Sequence, residues 1–382
     1  MKKLLTILTA ICLMAAAGCA AEGAALEEMA LELGRSSVRF PAVTGMADAG
    51  AETRVNEQIR QDLHVDDYLT RMTALISDEV RSITVTWDGG ILGDVFSCAA
   101  QAEGSVNPPR NSHVWTAANV DLRDGHEITF DELFIDGDAA REAIETLLEE
   151  TVAGEQNPHQ EGSALTPLPE TFRLERTGLT LLYGIGQLST LTGRAGAVKI
   201  GWNDIWGYVD PSEDGIIERI GARDTVALTE ASPARIRETA ESGQLPDIPV
   251  KIGDSVKEWT DRAHLLNDPE EYGGGRMFEL EGAAFRGVYI LSDKVSSGWD
   301  GSTVQGIRMD RGSLWGLCIG ETTADEWHML LGEPEDTAVF DEARAEEYRT
   351  ESGACDYYQY GDYRLQLQYR ENGTLIGITL AR

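Results

Sequence analysis

Basic residues are scarce in this chain relative to acidic ones, since 32 lysines and arginines stand against 65 aspartates and glutamates, giving a formal net charge of -33. Nucleic acids and anionic lipid surfaces are bound through clustered lysine and arginine side chains, so this balance argues against both as partners. It favours cationic partners such as basic proteins, peptides or metal ions, although acidity also simply keeps a protein soluble. We therefore expect no nucleic-acid binding.

Cysteines and long apolar segments are also rare. Of the five cysteines, Cys12 and Cys19 lie near the N-terminus, and the other three lack the CxxC spacing of a zinc site and the even count of a disulfide framework. The sequence leaves open whether Cys318 and Cys355 form a disulfide or remain buried thiols. After the first apolar run, no segment is long enough to span a bilayer.

The local motifs of common enzyme classes are absent as well. No HExxH, GxSxG or GxxxxGK[ST] run occurs, so a zinc protease, a serine hydrolase or a P-loop nucleotidase would lack its usual signature. The stretch Thr129-Phe130-Asp131-Glu132 is similar to the start of carbohydrate deacetylases, but the two histidines that such a metal site needs, one helical turn apart, do not follow. We interpret it as the capped start of a short helical turn and predict no catalytic residue, metal or cofactor.

The N-terminus contains the pattern of a targeting signal. Two lysines precede an apolar run from Leu4 to Ala17, and small residues then lead to Cys19. Such a pattern is typical of a secretory signal, and this one resembles a bacterial lipoprotein leader, in which residues 1–18 are removed and Cys19 is acylated. An ordinary signal cleaved near Ala17 to Ala21 is the alternative. The lipoprotein interpretation predicts an extracytoplasmic protein that is anchored to the cell membrane by its lipidated cysteine.

Folded structure is predicted to follow a short tether. Residues 19–34 are rich in Ala, Glu and Leu and have some helical propensity, and residues 35–222 form the predicted first domain. Apolar residues at helical spacing between Arg54 and Leu63 indicate an amphipathic helix. Alternation from Ile83 to Trp87 indicates a strand that ends at a turn. The first domain is therefore expected to mix helices with antiparallel strands.

Several short motifs in this first domain occur in an order known from one family. They are Phe40-Pro41-x-Val43-x-Gly45, Val55-Asn56-x-x-Ile59, Asp121-Leu122-x-x-Gly125, Phe130-Asp131-Glu132-Leu133-Phe134, Phe172 to Leu182 and Val198 to Trp202. In this order they resemble the RsiV-like extracellular domain, the lysozyme-sensing part of certain anti-sigma factors and a noncatalytic module of PdaC-type peptidoglycan deacetylases. The resemblance implies a role in binding lysozyme or cell wall. Residues 107–113 depart from the family's Gly-Gly-Ala-His stretch.

The C-terminal part of the chain repeats itself. Residues 223–249 are predicted as a linker, with a helix that ends at Gly243. Residues 250–312 and 313–382 then share three ordered matches: Ile252-Gly253-Asp254-Ser255 with Ile319-Gly320-Glu321-Thr322, Leu265-Leu266-Asn267-Asp268-Pro269 with Leu330-Leu331-Gly332-Glu333-Pro334, and Gly301-Ser302-Thr303 with Gly373-Thr374-Leu375. Each unit is predicted to form helix followed by antiparallel sheet. The pair resembles the tandem repeats of β-lactamase inhibitory protein-like lipoprotein domains.

Aromatic residues concentrate in this repeat region and supply the candidates for ligand contact, because aromatic anchors often carry protein or glycan binding. The candidates are Tyr357, Tyr358, Tyr360 and Tyr363. Alternate residues of a strand face opposite sides, so the sequence leaves open which of them are exposed. Trp259 and Trp327 hold equivalent positions early in the repeated helices and are predicted to pack in the core.

Together these patterns predict an α+β protein with an RsiV-like domain followed by a tandem-repeat domain. The expected function is that of a noncatalytic cell-surface lipoprotein that binds or senses a cell-wall component or a secreted wall-active protein such as lysozyme. The expected partners are the membrane, through the lipid anchor, and a basic secreted protein or cell-wall glycan. One alternative is a peptidoglycan- or polysaccharide-modifying hydrolase or deacetylase whose carboxylates converge from distant positions, and another is a purely structural tether.

Overall fold

The computed structural model describes residues 23–76, 78, 81–105, 112–153, 168–184, 196–261, 270–273, 275–280, 287–293 and 301–382. Over these residues the chain is an α+β protein built from helices and largely antiparallel sheets. The first unit comprises Met1–Glu175, Leu179–Ile200 and Ile205–Gly221, and the second comprises Arg176–Gly178, Gly201–Asp204 and Ala222–Arg382. The predicted leader, including Cys19, lies outside the described residues.

The first unit contains eight described strands. They are β1 (Ala25–Leu33), β2 (Ser36–Thr44), β3 (Ser82–Leu92), β4 (Val95–Ser105), β5 (Ser112–Asp121), β6 (Phe172–Leu174), β7 (Gly178–Tyr183) and β8 (Gly196–Gly201). The first five form one sheet in the order β1-β2-β3-β4-β5, and the last three form a second sheet. All pairings within the larger sheet are antiparallel except that of β2 with β3, which is parallel.

Helices precede, interrupt and follow these strands. They are α1 (Ala49–Asp62), α2 (Val65–Ala74), a 3-10 helix at Phe130–Leu133, α3 (Gly137–Ala153), α4 (Trp202–Ile205), a second 3-10 helix at Trp206–Tyr208 and α5 (Ile216–Arg219). Of α4, residues 202–204 belong to the second unit. α1 begins where the Asp48 carboxylate accepts a hydrogen bond from the Gly50 amide at 2.7 Å. Val55 and Ile59, one turn apart, are fully buried, so the predicted amphipathic helix packs its apolar face into the core.

Residues 19–34, interpreted from sequence as a tether with helical propensity, include a strand in the structure. β1 pairs along its whole length with β2, from Ala25 opposite Thr44 to Leu33 opposite Ser36. Ala, Glu and Leu favour helix in isolation, but the open edge of β2 offers backbone partners that a solvated helix would lack. Tertiary pairing therefore overrides local propensity here.

Two polar side chains connect β6 to the larger sheet. The Ser97 hydroxyl donates to Asn119 Oδ1 at 2.7 Å and accepts a bond from the Leu174 amide at 2.8 Å. Asn119 Nδ2 donates to the Phe172 carbonyl at 2.9 Å. Ser97 and Asn119 are both buried, so each of these bonds replaces one that water would otherwise make. The pair thus positions β6 beside β5.

An ion-pair network that contains a buried carboxylate joins the two sheets of the first unit. Glu175 is 6% exposed and forms ion pairs with Arg173 and, at 2.6 Å, with Lys199 on β8. Burial alone would raise the pKa of Glu175, but the charges of Lys199 and Arg173 outweigh it and lower that pKa to about 2. Arg173 also pairs with Asp88 on β3 at 2.5 Å. Each buried charge in this group therefore has an opposite partner.

The second unit contains ten described strands. They are β9 (Glu270–Tyr272), β10 (Gly275–Glu279), β11 (Val288–Ser292), β12 (Val304–Met309), β13 (Ser313–Leu314), β14 (Leu317–Cys318), β15 (Asp336–Phe340), β16 (Gly353–Tyr360), β17 (Tyr363–Arg370) and β18 (Leu375–Ala381). Eight of them form an antiparallel sheet in the order β15-β16-β17-β18-β12-β11-β10-β9, and β13 pairs with β14. The helices are α6 (Arg223–Val226), α7 (Ser232–Ser242), α8 (Val256–Asp261), α9 (Ala324–Leu331) and α10 (Glu342–Glu347).

Residues 223–249, predicted as a linker, carry α6 and α7 and contribute to the core of the second unit. Ile236 and Ala240 on α7 are buried in that core, as is Leu245 after it. α7 ends at Gly243, as predicted, where a φ of 71° suits a residue without a Cβ atom. The segment was predicted as a linker because most of its residues are polar or charged. Only one face of α7 is buried, and this face packs in the core of the second unit.

All three described cysteines are free and buried: Cys98, Cys318 and Cys355. Burial raises the pKa of Cys318 and of Cys355 to about 12, so both thiols stay protonated at neutral pH. The question that the sequence left open is thus answered in favour of buried thiols. Among the described helices, none has the length and apolar content needed to cross a membrane.

Candidate functional site

An open concavity in the described part of the first unit runs along β5, and we call it the β5 groove. It consists of two adjoining cavities of about 680 Å³ and 510 Å³ that share His64, Trp115 and Thr116. Cavities of this size accommodate drug-sized ligands or short segments of a polymer. Both cavities are lined only by residues of the first unit.

The larger cavity lies between α2 and the strands β3, β4 and β5. Tyr68 on α2, Ile83 on β3 and Ala102 on β4 supply apolar surface, and Val114 on β5 is 49% exposed. Ligand cavities are lined mainly by apolar side chains of this kind. This cavity therefore offers the apolar part of the groove.

The smaller cavity is more polar and more acidic. Asp62, Glu127 and Glu170 line it together with one arginine, Arg141. Arg141 already pairs with Asp131 at 3.0 Å and lies over the Phe130 ring at 4.3 Å. The carboxylates thus outnumber the available cation, and this part of the groove attracts positively charged groups.

β5 forms one edge of its sheet, and only part of that edge is covered in the described structure. Val120 bridges to Glu127, and the Asn119 carbonyl accepts a bond from the Ile128 amide at 2.7 Å. Within the described residues, positions 114–118 have no strand on their outer side. An edge of this kind can accept backbone hydrogen bonds from an extended segment of a ligand.

Asp62 at the end of α1 is the most perturbed acid in the groove. Its Oδ1 accepts a hydrogen bond from Gln58 Nε2 at 2.7 Å, whereas the buried Oδ2 has no partner among the described residues. Burial raises the pKa of Asp62 to about 6, and the nearby charge of Glu127 acts in the same direction. A buried carboxylate oxygen without a donor is costly, and a ligand amine or hydroxyl would satisfy it.

Trp115 and His64 occupy the junction of the two cavities. The Trp115 indole nitrogen is buried and, among the described groups, has no acceptor. His64 is exposed and links α1 to α2 with a left-handed backbone (φ 52°). The junction thus presents an aromatic ring, an imidazole and an unpaired N–H donor, groups that suit a polar ligand with an apolar face.

The stretch that is similar to deacetylases has a structural role. Thr129 caps the 3-10 helix at Phe130–Leu133, and the reciprocal bonds with Glu132 form a capping box, which confirms the capped helical turn. Asp131 pairs with Arg141, as described above, and Glu132 also contacts His126 Nε2 at 3.1 Å. Both acids of the motif therefore already have partners.

One group of described residues has metal-ligand composition: Asp121, Asp124 and His126. Asp121 is fully buried and forms ion pairs with Arg123 and Arg219, each at 2.8 Å. Burial raises the pKa of Asp121, but the hydrogen bonds from Arg123 and Arg219 outweigh it and lower the pKa to about 2. The two guanidinium groups already supply the positive charge that a metal ion would bring, so these residues do not fit a metal site.

The four tyrosines singled out from sequence have different surroundings in the second unit. Tyr358 is 5% exposed and belongs to the core, and Tyr360 and Tyr363 are partly buried against that core. Tyr357 lies on the opposite face of the sheet, where it lines a separate cavity. The tyrosines therefore do not form one surface.

Trp327 is fully buried, as predicted, and belongs to a network around a buried carboxylate. Asp356 accepts hydrogen bonds from Trp327 Nε1 at 3.1 Å, Thr337 Oγ1 at 2.8 Å and Tyr369 OH at 3.2 Å, and its Oδ2 lies 2.6 Å from His328 Nε2. Burial and the charge of Asp356 raise the pKa of Tyr369 to about 12. With both oxygens occupied, Asp356 fixes α9 against β16 and is not available to a ligand.

Sequence reasoning did not identify Asp62 or Trp115 as site residues. Asp62 resembles any acid at the end of a surface helix, and Trp115 resembles any aromatic residue in a strand. Their role depends on which of their polar atoms lack partners, which is a property of the packed structure. The feature that could have pointed to the site is the exposed edge strand. A sequence, however, does not show which strand lies at the edge of a sheet.

No family model matches the chain, and no curated protein matches it. Among solved structures it is similar to a DUF3298-family protein from Bacteroides fragilis, with 12% identity and a TM-score of 0.43 over 53% of this chain and 98% of that one. It is also similar to a DUF3298-family protein from Pseudomonas aeruginosa, with 12% identity and a TM-score of 0.38 over 50% of this chain and 96% of that one. A DUF4309-family protein from Bacillus subtilis matches with 18% identity and a TM-score of 0.27 over 40% of this chain and 97% of that one.

Proposed function

We propose that the protein is a noncatalytic cell-surface lipoprotein whose first unit binds a cell-wall component or a secreted wall-active protein through the β5 groove. The observation that carries this proposal is a set of three buried polar atoms without described partners on side chains that line the groove: Asp62 Oδ2, Trp115 Nε1 and Thr116 Oγ1. Such atoms destabilise a fold unless water or a ligand satisfies them, and a ligand in the groove can do so. The uncovered edge at residues 114–118 supports the same role.

Charge supports a basic partner. The smaller cavity carries Asp62, Glu127 and Glu170, and the whole chain has a formal net charge of -33. A basic protein is drawn toward such a surface over long distances, and a lysine or arginine side chain can then pair with the groove carboxylates. A lysozyme-type muramidase, which the RsiV-like resemblance suggests, has this chemistry.

We further propose the RsiV-like assignment for the first unit, because residues of separate motifs contact one another. Asn56 on α1 accepts a bond from the Val43 amide at 2.8 Å and donates to the Val43 carbonyl at 2.7 Å. A Cβ atom on Gly125 would lie 2.8 Å from the side chain of Arg54, so this glycine permits close contact with α1. The motif positions thus act together in one piece of structure.

The tandem repeat is proposed for residues 250–382. Ser255 bridges Thr303, and Thr323 bridges Thr374, at corresponding positions of the two halves. The sheet order places β9 to β12 and β15 to β18 as two sets that meet where β12 pairs with β18. This arrangement is what two copies of one helix-plus-sheet unit would produce.

Membrane anchoring at Cys19, and with it an extracytoplasmic location, rests on the leader pattern alone. Globomycin treatment of cells that express the protein tests it, because a lipoprotein then accumulates with its leader uncleaved. Radiolabelled palmitate that remains bound to the wild type and is lost from Cys19→Ser supports the assignment. Cleavage of both forms without lipid would indicate an ordinary secretory signal.

Calorimetric titration of the chain from Ala20 onward with a lysozyme-type muramidase tests the binding function at low and at ~0.15 M salt. Exposed charges are screened beyond about 8 Å at the higher salt, so binding that persists there is specific. Asp62→Asn should weaken it by about tenfold or more, since charge-assisted bonds contribute about 1.5 to 3 kcal/mol. The control Asp66→Asn removes an exposed acid that pairs with Arg60 and does not line the groove. Equal effects of both substitutions would contradict a role for the groove.

One observation favours a hydrolase as the second candidate. Asp62 and Glu127 line the same cavity, and the pKa of Asp62 is raised to about 6 mainly by burial. A carboxylic acid with a raised pKa beside an ionised carboxylate is the arrangement that glycosidases use. Incubation with purified cell wall, followed by measurement of released sugar and acetate, tests the hydrolase hypothesis. Release that is abolished by Glu127→Gln would support the hydrolase. If the wild type releases neither sugar nor acetate, the binding function remains the proposal.

A further inference from the structure

A second concavity lies on the outer face of the eight-stranded sheet in the second unit, and we call it the arginine pocket. Leu365 and Leu367 on β17 are buried in the core, whereas Arg364 and Gln366 face the other side and line a cavity of about 240 Å³. Alternation along the strand accounts for this division. The pocket is thus on the sheet surface that is turned away from the core.

The pocket concentrates positive charge in a strongly acidic protein. Arg308, Arg344 and Arg364 line it, and its described lining contains no aspartate or glutamate. Arg308 is held in place by Asp310, which accepts its Nε at 2.6 Å and its Nη2 at 2.9 Å. In the described structure, neither Arg344 nor Arg364 has an ion-pair partner. Two of the three guanidinium charges are therefore uncompensated by the groups around them.

Aromatic rings orient the two uncompensated arginines. The Arg344 guanidinium lies 4.5 Å from the Phe340 ring centre and 5.7 Å from that of Tyr348, and Arg364 lies 5.3 Å from the ring centre of Tyr357. Arg344 Nη1 also donates to the Val339 carbonyl at 3.3 Å. Stacking uses the flat face of each guanidinium and leaves its remaining N–H groups for an acceptor. Aromatic contact also fixes long side chains that would otherwise lose entropy on binding.

The other polar groups of the pocket stay neutral at physiological pH. Burial raises the pKa of the Cys355 thiol to about 12 and raises the pKa of Tyr357. Gln366 and Thr379 add uncharged hydrogen-bonding groups, and Leu291 adds an apolar one. The lining thus combines cationic donors, neutral polar groups and apolar surface without an anion of its own.

We propose that the arginine pocket binds a small organic carboxylate of about amino-acid size, with Arg344 and Arg364 contacting the carboxylate oxygens. A cavity of about 240 Å³ holds roughly eight water molecules at about 30 Å³ each, which suits a short chain of carbon atoms with one or two carboxylates. The planar carboxylate matches the guanidinium fork. The aromatic and apolar walls match the carbon chain, which inorganic phosphate does not have.

This site is separate from the β5 groove, and its failure would leave the proposed function intact. Calorimetric titration of the full chain with glutarate at ~0.15 M salt provides the test, with glutaramide as the uncharged analogue and inorganic phosphate as the alternative anion. We expect saturable glutarate binding, at least tenfold weaker phosphate binding and none with glutaramide. Phosphate that binds as tightly as glutarate, or no glutarate binding up to about 10 mM, would overturn the proposal.

Substitutions of the pocket arginines test whether glutarate binds at this site. Arg364→Gln and Arg344→Gln should each weaken glutarate binding by about tenfold or more, because each removes a charge-assisted contact. Arg237→Gln is the matched control: Arg237 is also an exposed arginine over a tyrosine ring, at 5.8 Å from Tyr360, but does not line the pocket.

Gln366→Glu keeps all three arginines and introduces a like charge beside the ligand, so it should also abolish binding. This variant tests the site even if an arginine substitution unfolds the protein. Binding that survives Gln366→Glu, or that falls as much in Arg237→Gln as in Arg364→Gln, would refute the assignment.

Discussion

Replacing Asp62 by asparagine should stabilise the first unit at neutral pH and leave its stability at low pH unchanged. The pKa of this carboxyl is about 6 in the folded protein, above the ordinary value of 3.8, mainly because it is buried. The native state thus holds its proton more tightly than the unfolded chain. This tighter proton binding contributes to the free energy of unfolding; the contribution is fully present below about pH 4 and is lost as the pH rises through about 6. Above that pH the wild type carries a buried charge that the asparagine variant lacks.

The size of the gain follows from the same values. A pKa raised from 3.8 to about 6 corresponds to at most about 3 kcal/mol, since a tenfold change in ionisation is worth about 1.4 kcal/mol. Asp62 is partly open to water, which screens the effect, so we expect about 1 kcal/mol. The asparagine oxygen can still accept the bond from Gln58, so little else changes.

Urea denaturation at pH 4, 5, 6 and 7 measures this difference, with pulsed proteolysis and mass spectrometry used to quantify the first unit separately. The exposed control Asp66→Asn should show no gain that grows between pH 4 and pH 7. A difference between Asp62→Asn and wild type that is constant over this range would refute the assignment of a raised pKa. A loss of stability at pH 7 would indicate that the charge of Asp62 already has a partner.

Four further substitutions test the packing within each unit by thermal melting. Glu175→Gln should destabilise the first unit by about 3 kcal/mol, because it leaves two partly buried cations with a neutral partner; a change below 1 kcal/mol would mean that water compensates them. Asp356→Asn should cost about 2 kcal/mol in the second unit, because an amide group would face hydrogen-bond donors. Gly316→Ala should cost about 3 kcal/mol, because its φ is 92° and its Cβ atom would lie 2.4 Å from the Ala227 backbone. Gly320→Ala, with a φ of 90° and no atom within 4 Å of the new Cβ, should cost only about 1 kcal/mol, and equal losses at the two glycines would refute the steric argument.

Local signals in the sequence predicted local structure well. The hydroxyl and glutamate of the Thr129 capping box are three residues apart, and the box forms because it needs only its own helix turn. The helix end at Gly243 depends likewise on one backbone angle. Alternation from Ile83 to Trp87 predicted a strand, and all of these residues lie in β3. Each of these features is decided within a few residues.

Features that depend on contacts between distant segments could not be predicted from local sequence patterns. β1 forms because β2 offers an open edge, and nothing within residues 25–33 specifies that neighbour. The arginine pocket brings together Arg308, Arg344 and Arg364 from β12, α10 and β17, which no spacing in the chain relates. The proposed binding sites are thus assembled by sheet order, and sheet order follows from contacts between distant segments.

The two proposed sites carry opposite charge within one acidic chain, and this gives them different responses to salt. At the β5 groove, the local carboxylates and the net charge of -33 both attract a basic ligand, so added salt weakens the two attractions together. At the arginine pocket, local guanidinium groups attract a carboxylate that the rest of the chain repels, so salt screens two opposing effects. Binding at the groove should therefore fall steeply with ionic strength, whereas binding at the pocket should change little. Steep salt dependence at both sites would mean that long-range repulsion contributes little at the pocket.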